Sequence, residues 1–308
     1  MSVSVIGLGR VGFITLLHLA KKGFSPYGID RDKEKIEIFK NKKLQFVEKG
    51  FQCFIEAYFK SIRFSQVMPE NRYNFICVPS PFNSSKKSSD LSFIESVLSQ
   101  LQNTNYKKKH VFIRSTLQPA SSSRLSKKFN KLSIHYFPEF FREGHFMQDY
   151  KNSSYNIIGS RDVDIVKQFS KFQFKNIHLC QPEEAEILKV SSNLFHGLKV
   201  SFANEMGRTA QQFNVSADKI MNLFLKDKIL NVSEKYLKPG FAFGGSCLKK
   251  DIQSLEAVQQ PLTRALLSKA VIASNQKHID WAVDQILKLK AKKISLLGCS
   301  FTGSPTVD

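Results

Sequence analysis

The sequence predicts an α/β protein: a Rossmann-like, doubly wound parallel sheet followed by an all-helical central domain. Three observations carry this reading. A glycine-rich turn stands between an apolar strand and an apolar helix. Short strand-like runs alternate with helical patterns over roughly residues 1–180. Two long helical periodicities then occupy most of what remains.

The first strand is Met1 to Ile6. Gly7-Leu8-Gly9-Arg10-Val11-Gly12 follows, then a helical pattern through Phe13, Leu16, Leu17, Leu19 and Ala20, closed by Gly23. A second strand, Tyr27-Gly28-Ile29, ends at Asp30. Strand, glycine turn, helix and strand in this order make a dinucleotide fingerprint. Gly7 allows the tight turn, Gly9 lets backbone approach a pyrophosphate, and Gly12 permits close helix–strand packing. The helix N-terminus offers its positive end to the phosphates. Asp30 lies 18 residues beyond Gly12, where a carboxylate accepts from both ribose hydroxyls and repels a 2′-phosphate, so NAD is the expected cofactor rather than NADP. Lys35 lies one turn into the next helix, either near the adenosine ribose or as a solvated helix lysine.

Further strands read at residues 74–78, ending at Pro79-Ser80-Pro81; at 110–114, ending at Ser115-Thr116; at 133–137, ending at Pro138-Glu139; and at 155–159 and 177–179. Asp90 or Ser92 is placed to cap the helix carrying Ile94, Val97, Leu98 and Leu101. Ligands of doubly wound sheets bind beyond the carboxyl ends of the strands. Ser80, Ser115, Thr116 and Glu139 all stand at such ends.

A long helix follows, from Glu183 to about Phe213, with Leu188, Phe195, Leu198, Phe202 and Met206 on one face. Lys189 and Asn193 share another face, one turn apart. An ammonium and an amide converging on one point suit an oxyanion or alkoxide, and the same pair also suits a plain surface. A second long helix is expected from Pro261 through Leu266, Ala270, Ala273 and Trp281 to about Lys290. Long helices with apolar residues on two sides form dimer cores, so a homodimer is the expected assembly.

Composition narrows the function. Hydrophobic residues make up 42% of the 308 and include 27 Phe, enough to exclude global disorder. No stretch approaches the roughly 20 apolar residues of a membrane span, and no signal-peptide pattern opens the chain. Five scattered cysteines without CxxC pairing make neither a disulfide framework nor a zinc site, so no metal and a reducing cytoplasm are expected. Lys and Arg exceed Asp and Glu by 46 to 26, a net +20. The lysines are spread out, and neither an arginine-rich helix nor an RNA-binding aromatic motif is present. The excess therefore reads as a solvated surface that favours anionic small molecules, not as a nucleic-acid footprint.

Between the long helices, residues 236–251 run Tyr-Leu-Lys-Pro-Gly-Phe-Ala-Phe-Gly-Gly-Ser-Cys-Leu-Lys-Lys-Asp. Cys247 follows two adjacent glycines and precedes two lysines at an apparent helix entrance. Such surroundings lower a thiol pKa and make a nucleophile; the alternative is a small buried hydrophobe.

The segment Gly-Phe-Ala-Phe-Gly-Gly-Ser-Cys at 240–247 resembles the active-site cysteine loop of the UDP-glucose/GDP-mannose dehydrogenase family, in the form of its GDP-mannose branch. The resemblance covers nearly the whole chain. It includes Gly7 to Gly12 with Asp30, Ser115-Thr116, the run Pro138-Glu139-Phe140-Phe141-Arg142-Glu143-Gly144, the Lys189-xxx-Asn193 helix, and Phe202-Ala203-Asn204-Glu205. It implies a four-electron oxidation of a nucleotide sugar's C6 alcohol to a carboxylate with two NAD, GDP-mannose being favoured and UDP-glucose next. Lys189 and Asn193, with a water held by Asp251, would stabilise the alkoxide and assist proton removal. Cys247 would form a thiohemiacetal and then a thioester, and Glu139 would act in its hydrolysis. Thr116 and Glu143 would line the nicotinamide side. Phe140, Asn204, Tyr236, Lys238, Phe241 and Gly244 would contact the substrate, Lys238 across a dimer.

Departures from the family pattern are Arg10 for a tyrosine, Pro79-Ser80 for Gly-Thr, Phe137 for an Asn, Lys249 for Pro or Gln, and Thr302 for a lysine. Residues 293–301 resemble the first strand of the family's third domain, and the Arg-Glu-Ser-Pro element is absent. The expected organisation is a NAD-binding domain at 1–182, a helical central domain at 183–290, and at 291–308 a stub of a truncated third domain. The other readings are a non-catalytic NAD-binding relative and a two-domain β-hydroxyacid dehydrogenase; a Gly-Gly-Ser-Cys loop argues against the latter, since a two-electron alcohol oxidation needs no thiol.

Overall fold

In a computed structural model, residues 3–41, 51–83, 88–104, 109–141, 146–151, 155–232, 242 and 266–295 are described. Apolar runs of four or five residues give the central strands, and the chain alternates these with helices. The elements are β1 (Val3–Ile6), α1 (Arg10–Lys21), β2 (Tyr27–Ile29), α2 (Lys33–Lys40), α3 (Phe51–Tyr58), β3 (Arg63–Ser65) and β4 (Tyr73–Ile76). A small antiparallel ribbon, β5 (Phe82–Asn83) and β6 (Ser88–Ser89), precedes α4 (Ser92–Gln102), β7 (Lys109–Ile113), α5 (Ser121–Lys128) and β8 (Leu132–Tyr136). Then come α6 (Phe146–Lys151), β9 (Asn156–Gly159), α7 (Ile165–Phe169), β10 (Ile177–Cys180), α8 (Pro182–Gln212), α9 (Ala217–Phe224) and α10 (Leu266–Lys288). The chain divides into two compact units, Met1–Leu194 and Phe195–Asp308.

In the first unit eight of the described strands form one sheet of order β10-β9-β8-β7-β4-β1-β2-β3, apart from the β5-β6 ribbon. The six strands from β8 to β3 are parallel, as expected. The sheet is not parallel throughout: β9 is antiparallel to β8, joined by the bridge Tyr136↔Gly159, and β10 is parallel to β9. The chain leaves β8 at its carboxyl end and re-enters the sheet from that same end, so no crossover to the other end is needed. Strand order reverses between β1 and β4, which opens a crevice at their carboxyl ends.

Period-2 alternation sends side chains to two cores, one on each face of the sheet. Tyr73, Phe75 and Phe112 join Phe13, Leu16 and Phe39 of α1 and α2, with Phe169 and Phe172. Ile76, Val111 and Ile113 join Ile94 and Leu98 of α4 and Leu125 of α5. The first core is dense in aromatic rings: Phe169 lies 4.8 Å from Phe137 and 4.9 Å from Phe112 between centroids. His18 of α1 ties into it. Its Nε2–H donates to the Phe172 carbonyl, its Nδ1 accepts from the Tyr150 hydroxyl, both at 2.7 Å, and its ring stacks on Phe174. Burial pushes the His18 pKa down to about 4.

Asp90 Oδ1 accepts from Ser92 N–H at 2.9 Å as α4 starts, so Asp90, not Ser92, serves that helix end. In the second unit, Ser216 Oγ caps α9 by accepting from Lys219 N–H, and Phe202 of α8 meets Phe224 of α9. The α10 helix is described from Leu266, so the expected start at Pro261 lies outside the described residues. Apolar side chains Leu266, Trp281 and Leu287 of α10 are exposed, as are Leu188, Phe195 and Leu198 on the expected apolar face of α8. No helix among the described residues is long and apolar enough to cross a membrane.

Candidate active site

The glycine turn is built as its spacing requires. Gly7 has φ +97°, and a Cβ there would lie 2.7 Å from the Cys77 carbonyl group; a Cβ on Gly12 would lie 1.9 Å from the Gly7 oxygen. These two positions bring β1, α1 and the end of β4 into backbone contact. A Cβ on Gly9 would meet nothing within 4 Å, so the start of α1 faces open space. Gly9 is the N-cap, and the first turn carries no acidic residue. A helix start with no side-chain cap bond and no acidic residue, beside open space, fits a pyrophosphate.

Asp30 is held at the end of β2. Its Oδ2 accepts from Leu8 N–H and Lys35 Nζ, both at 2.8 Å, and its Oδ1 from Asp32 N–H at 3.2 Å. Burial would raise its pKa, but the bonds from Lys35, Leu8 and Asp32 together hold it below the ordinary value. Lys35 is therefore an ion-pair partner of the ribose-binding candidate, not a freely solvated lysine.

The loops after β4 and β7 are clipped to each other. Ser80 Oγ donates to the Thr116 carbonyl at 2.7 Å, and Ser115 Oγ donates to the Val78 carbonyl. Both hydroxyls are thus spent on loop geometry, while Thr116 is exposed. A cleft of about 360 Å³ lies here, lined by the α1 start (Gly9, Arg10, Val11), by Cys77 to Ser80, by Arg114 to Thr116, and by Glu139.

Glu139 and Lys189 meet at the end of β8. Lys189 Nζ donates to the Glu139 carbonyl at 2.6 Å and lies 3.3 Å from Oε1; Glu139 Oε2 accepts from Phe141 N–H at 2.7 Å. Lys189 is 4% exposed, and its ammonium sits 5.2 Å above the Phe140 ring. Asn193, one turn further along α8, is exposed, so only the lysine of that pair is built into the interior. Asn204 lies within α8, and nothing is described of its side chain. Glu143, Tyr236, Lys238, Phe241, Gly244, Cys247 and Asp251 lie outside the described residues.

Three residues were not singled out by the sequence. Glu186 is fully buried and accepts from Ser122 N–H at 2.6 Å. The α5 helix has Ala120 at its N-cap, with φ +69° and no side-chain bond, so its start is capped from α8. Glu183 bonds Ser123 Oγ and Arg161. Glu183, Glu186 and Lys189 are spaced three apart and form one docking stripe of α8; that spacing was the available signal. Arg114 is the third, buried at the end of β7 and stacked on Phe137. Elsewhere, His110, His135 and Asp162 bring potential ligand atoms within 4.8 Å of one another. There the imidazoles already bond to each other at 3.2 Å, and His135 bonds Ser160.

Comparison with known proteins agrees with this architecture. Residues 1–176 match the NAD binding domain of the UDP-glucose/GDP-mannose dehydrogenase family, and residues 183–277 match its central domain. A GDP-mannose 6-dehydrogenase of Pseudomonas putida is 31% identical over 327 aligned residues, covering 98% of this chain and 74% of the relative. A UDP-glucose 6-dehydrogenase of Campylobacter jejuni is 29% identical, covering 97% and 77%. The structure of a ternary complex of GDP-mannose dehydrogenase from Pseudomonas aeruginosa superposes with TM-score 0.89 at 27% identity, covering 98% of this chain and 74% of that one. The chain thus spans about three quarters of these relatives. It belongs to the UDP-glucose/GDP-mannose dehydrogenase family, and its residues 1–176 are that family's NAD-binding domain.

Proposed function

We propose that the chain is an NAD-dependent nucleotide-sugar 6-dehydrogenase that oxidises a C6 alcohol to the carboxylate, with GDP-mannose preferred over UDP-glucose. The observation that carries this reading is the buried Lys189–Glu139 pair at the edge of the cleft. The names of its relatives support the substrate class, and the 240–247 loop supports the thiol chemistry.

NAD, when bound, supplies the oxidant at each of two stages, so two are consumed per sugar. Gly9 and the α1 start hold its pyrophosphate and Asp30 its ribose, while Thr116 and Glu143 line the nicotinamide side. Lys189 with Asn193, and a water on Asp251, stabilises the alkoxide and takes part in removing the hydroxyl proton. The Cys247 thiolate adds to the aldehyde carbon, and the aldehyde oxygen takes up a proton, giving a thiohemiacetal that stays attached until oxidised to the thioester. Glu139 accepts a proton from the water that attacks the thioester, whose C–S bond then breaks to return the thiolate. Phe140, Asn204, Tyr236, Lys238, Phe241 and Gly244 contact the substrate. A second copy pairs through the long helices, supported by the exposed Leu266, Trp281 and Leu287 of α10, and a reducing cytoplasm keeps Cys247 a thiol.

Comparing kcat/KM on GDP-mannose and UDP-glucose, for the wild type and for Cys247→Ser, tests the reading. The expected result is turnover of GDP-mannose above UDP-glucose and carboxylate formation lost in the variant. Carboxylate formation by Cys247→Ser at the wild-type rate would remove the thiol from the mechanism.

A further inference from the structure

The β7 strand is followed by Arg114, directly before Ser115 and Thr116. Its side chain is 3% exposed, and its guanidinium carbon lies 4.3 Å from the Phe137 ring centroid and 5.9 Å from that of Phe141. Nε and Nη1 are closed off from solvent without a hydrogen-bond partner. A buried guanidinium with two of its nitrogens unfilled is costly to keep, and such a group at a ligand cleft calls for a reason.

The groups whose charges act on it are Cys77 and Glu139. Burial pushes the Cys77 thiol up to about 12, which leaves it neutral at physiological pH. Glu139 is already engaged by Lys189 and Phe141 N–H. Taken as guanidinium, ammonium and carboxylate, Arg114, Lys189 and Glu139 leave this wall of the cleft one positive charge in excess.

Topology says which part of a dinucleotide meets that charge. Asp30 ends β2 and the glycine turn follows β1, on one side of the strand-order reversal; the β4 and β7 ends lie on the other. A dinucleotide held by Asp30 at one ribose and by the α1 start at its pyrophosphate would place its nicotinamide half near Cys77 to Ser80 and Arg114 to Thr116. That ring is a cation when oxidised and neutral when reduced.

We propose that Arg114 sets the redox-state preference of the cleft: its unpaired guanidinium disfavours the cationic nicotinamide, so the reduced dinucleotide binds more tightly than the oxidised one. The inference rests on the dinucleotide placement above. It assigns to Arg114 a function distinct from holding the fold, because a fixed charge acts on one form of the ligand and not on the other. A unit charge at an effective dielectric near 20 is sufficient for roughly a tenfold or larger change in affinity.

The test is the pair of dissociation constants for NAD+ and NADH, by calorimetry and by NADH fluorescence. It uses the full chain as wild type, Arg114→Lys and Arg114→Met, each with its thermal midpoint. The wild type is expected to bind NADH at least about tenfold more tightly than NAD+. Arg114→Lys keeps most of that ratio, and Arg114→Met brings it near one. Equal affinities in the wild type overturn the proposal without any variant. A folded Arg114→Met with the wild-type ratio also overturns it and leaves Arg114 as a support for Phe137 and Phe141. A wild type that binds neither form defeats the dinucleotide reading itself, and this proposal with it.

Discussion

Asp30 and Lys35 show how one contact changes what a residue does. The carboxylate was readable from its place after the second strand; the ion pair was not, because helix spacing does not tell which way a lysine turns. With Lys35 at 2.8 Å from Oδ2, the proposed repulsion of a 2′-phosphate by Asp30 is partly offset by the lysine's charge. Asp30→Asn is expected to weaken NAD binding about tenfold and to strengthen NADP binding, since Lys35 then offers an unneutralised charge; titration with both dinucleotides checks this. Lys189 was legible as a candidate but not as a buried one, because its partner Glu139 is fifty positions away in sequence. His18 and His135 report on burial in another way. Burial pushes them to about 4 and about 3, with His110 adding to the effect at His135. Between those values and the ordinary pKa near 6.5 the unfolded chain binds more protons, so stability rises with pH across that window and is lost on acidification. A drop from pH 7 to 5 is expected to remove on the order of 2 kcal/mol per histidine. Urea unfolding at both pH values measures it, and His18→Gln should flatten the dependence.

Among elements, the parallel strands were legible because strands covered on both faces read as unbroken apolar runs. The reversal of β9 was not, since a four-residue strand carries no mark of its direction. The docking of α8 on α5 was equally hidden: Ala120 leaves α5 without a side-chain cap, and the replacement comes from Glu186 on another helix. Glu186→Ala is expected to cost about 1–3 kcal/mol by leaving the Ser122 N–H unpaired, and to reduce activity by loosening the helix that carries Lys189. Glu186→Gln keeps an acceptor oxygen and should restore most of both, as read from unfolding midpoints and initial rates. The aromatic core depends on α7 in the same manner. Phe169→Ala removes a fully buried ring that touches Phe112 and Phe137 and should cost about 3–5 kcal/mol. Phe213→Ala, at a position 55% exposed, should stay within about 0.5 kcal/mol. Denaturant midpoints of the two variants give the contrast directly.

For the molecule as a whole, the sheet order puts the glycine turn, the clipped β4 and β7 loops and the Lys189–Glu139 pair at one edge, the carboxyl ends of the parallel strands. That convergence matches what a member of a dehydrogenase family needs, a cofactor cleft beside a buried lysine–carboxylate pair. The net charge of +20 adds a field that draws a diphosphate substrate toward the protein. The proposed two-stage oxidation through one thiol is tested by the number of NADH formed per GDP-mannose consumed at completion. Two are expected, with a carboxylate product and no free aldehyde. One NADH per sugar with aldehyde released would contradict it.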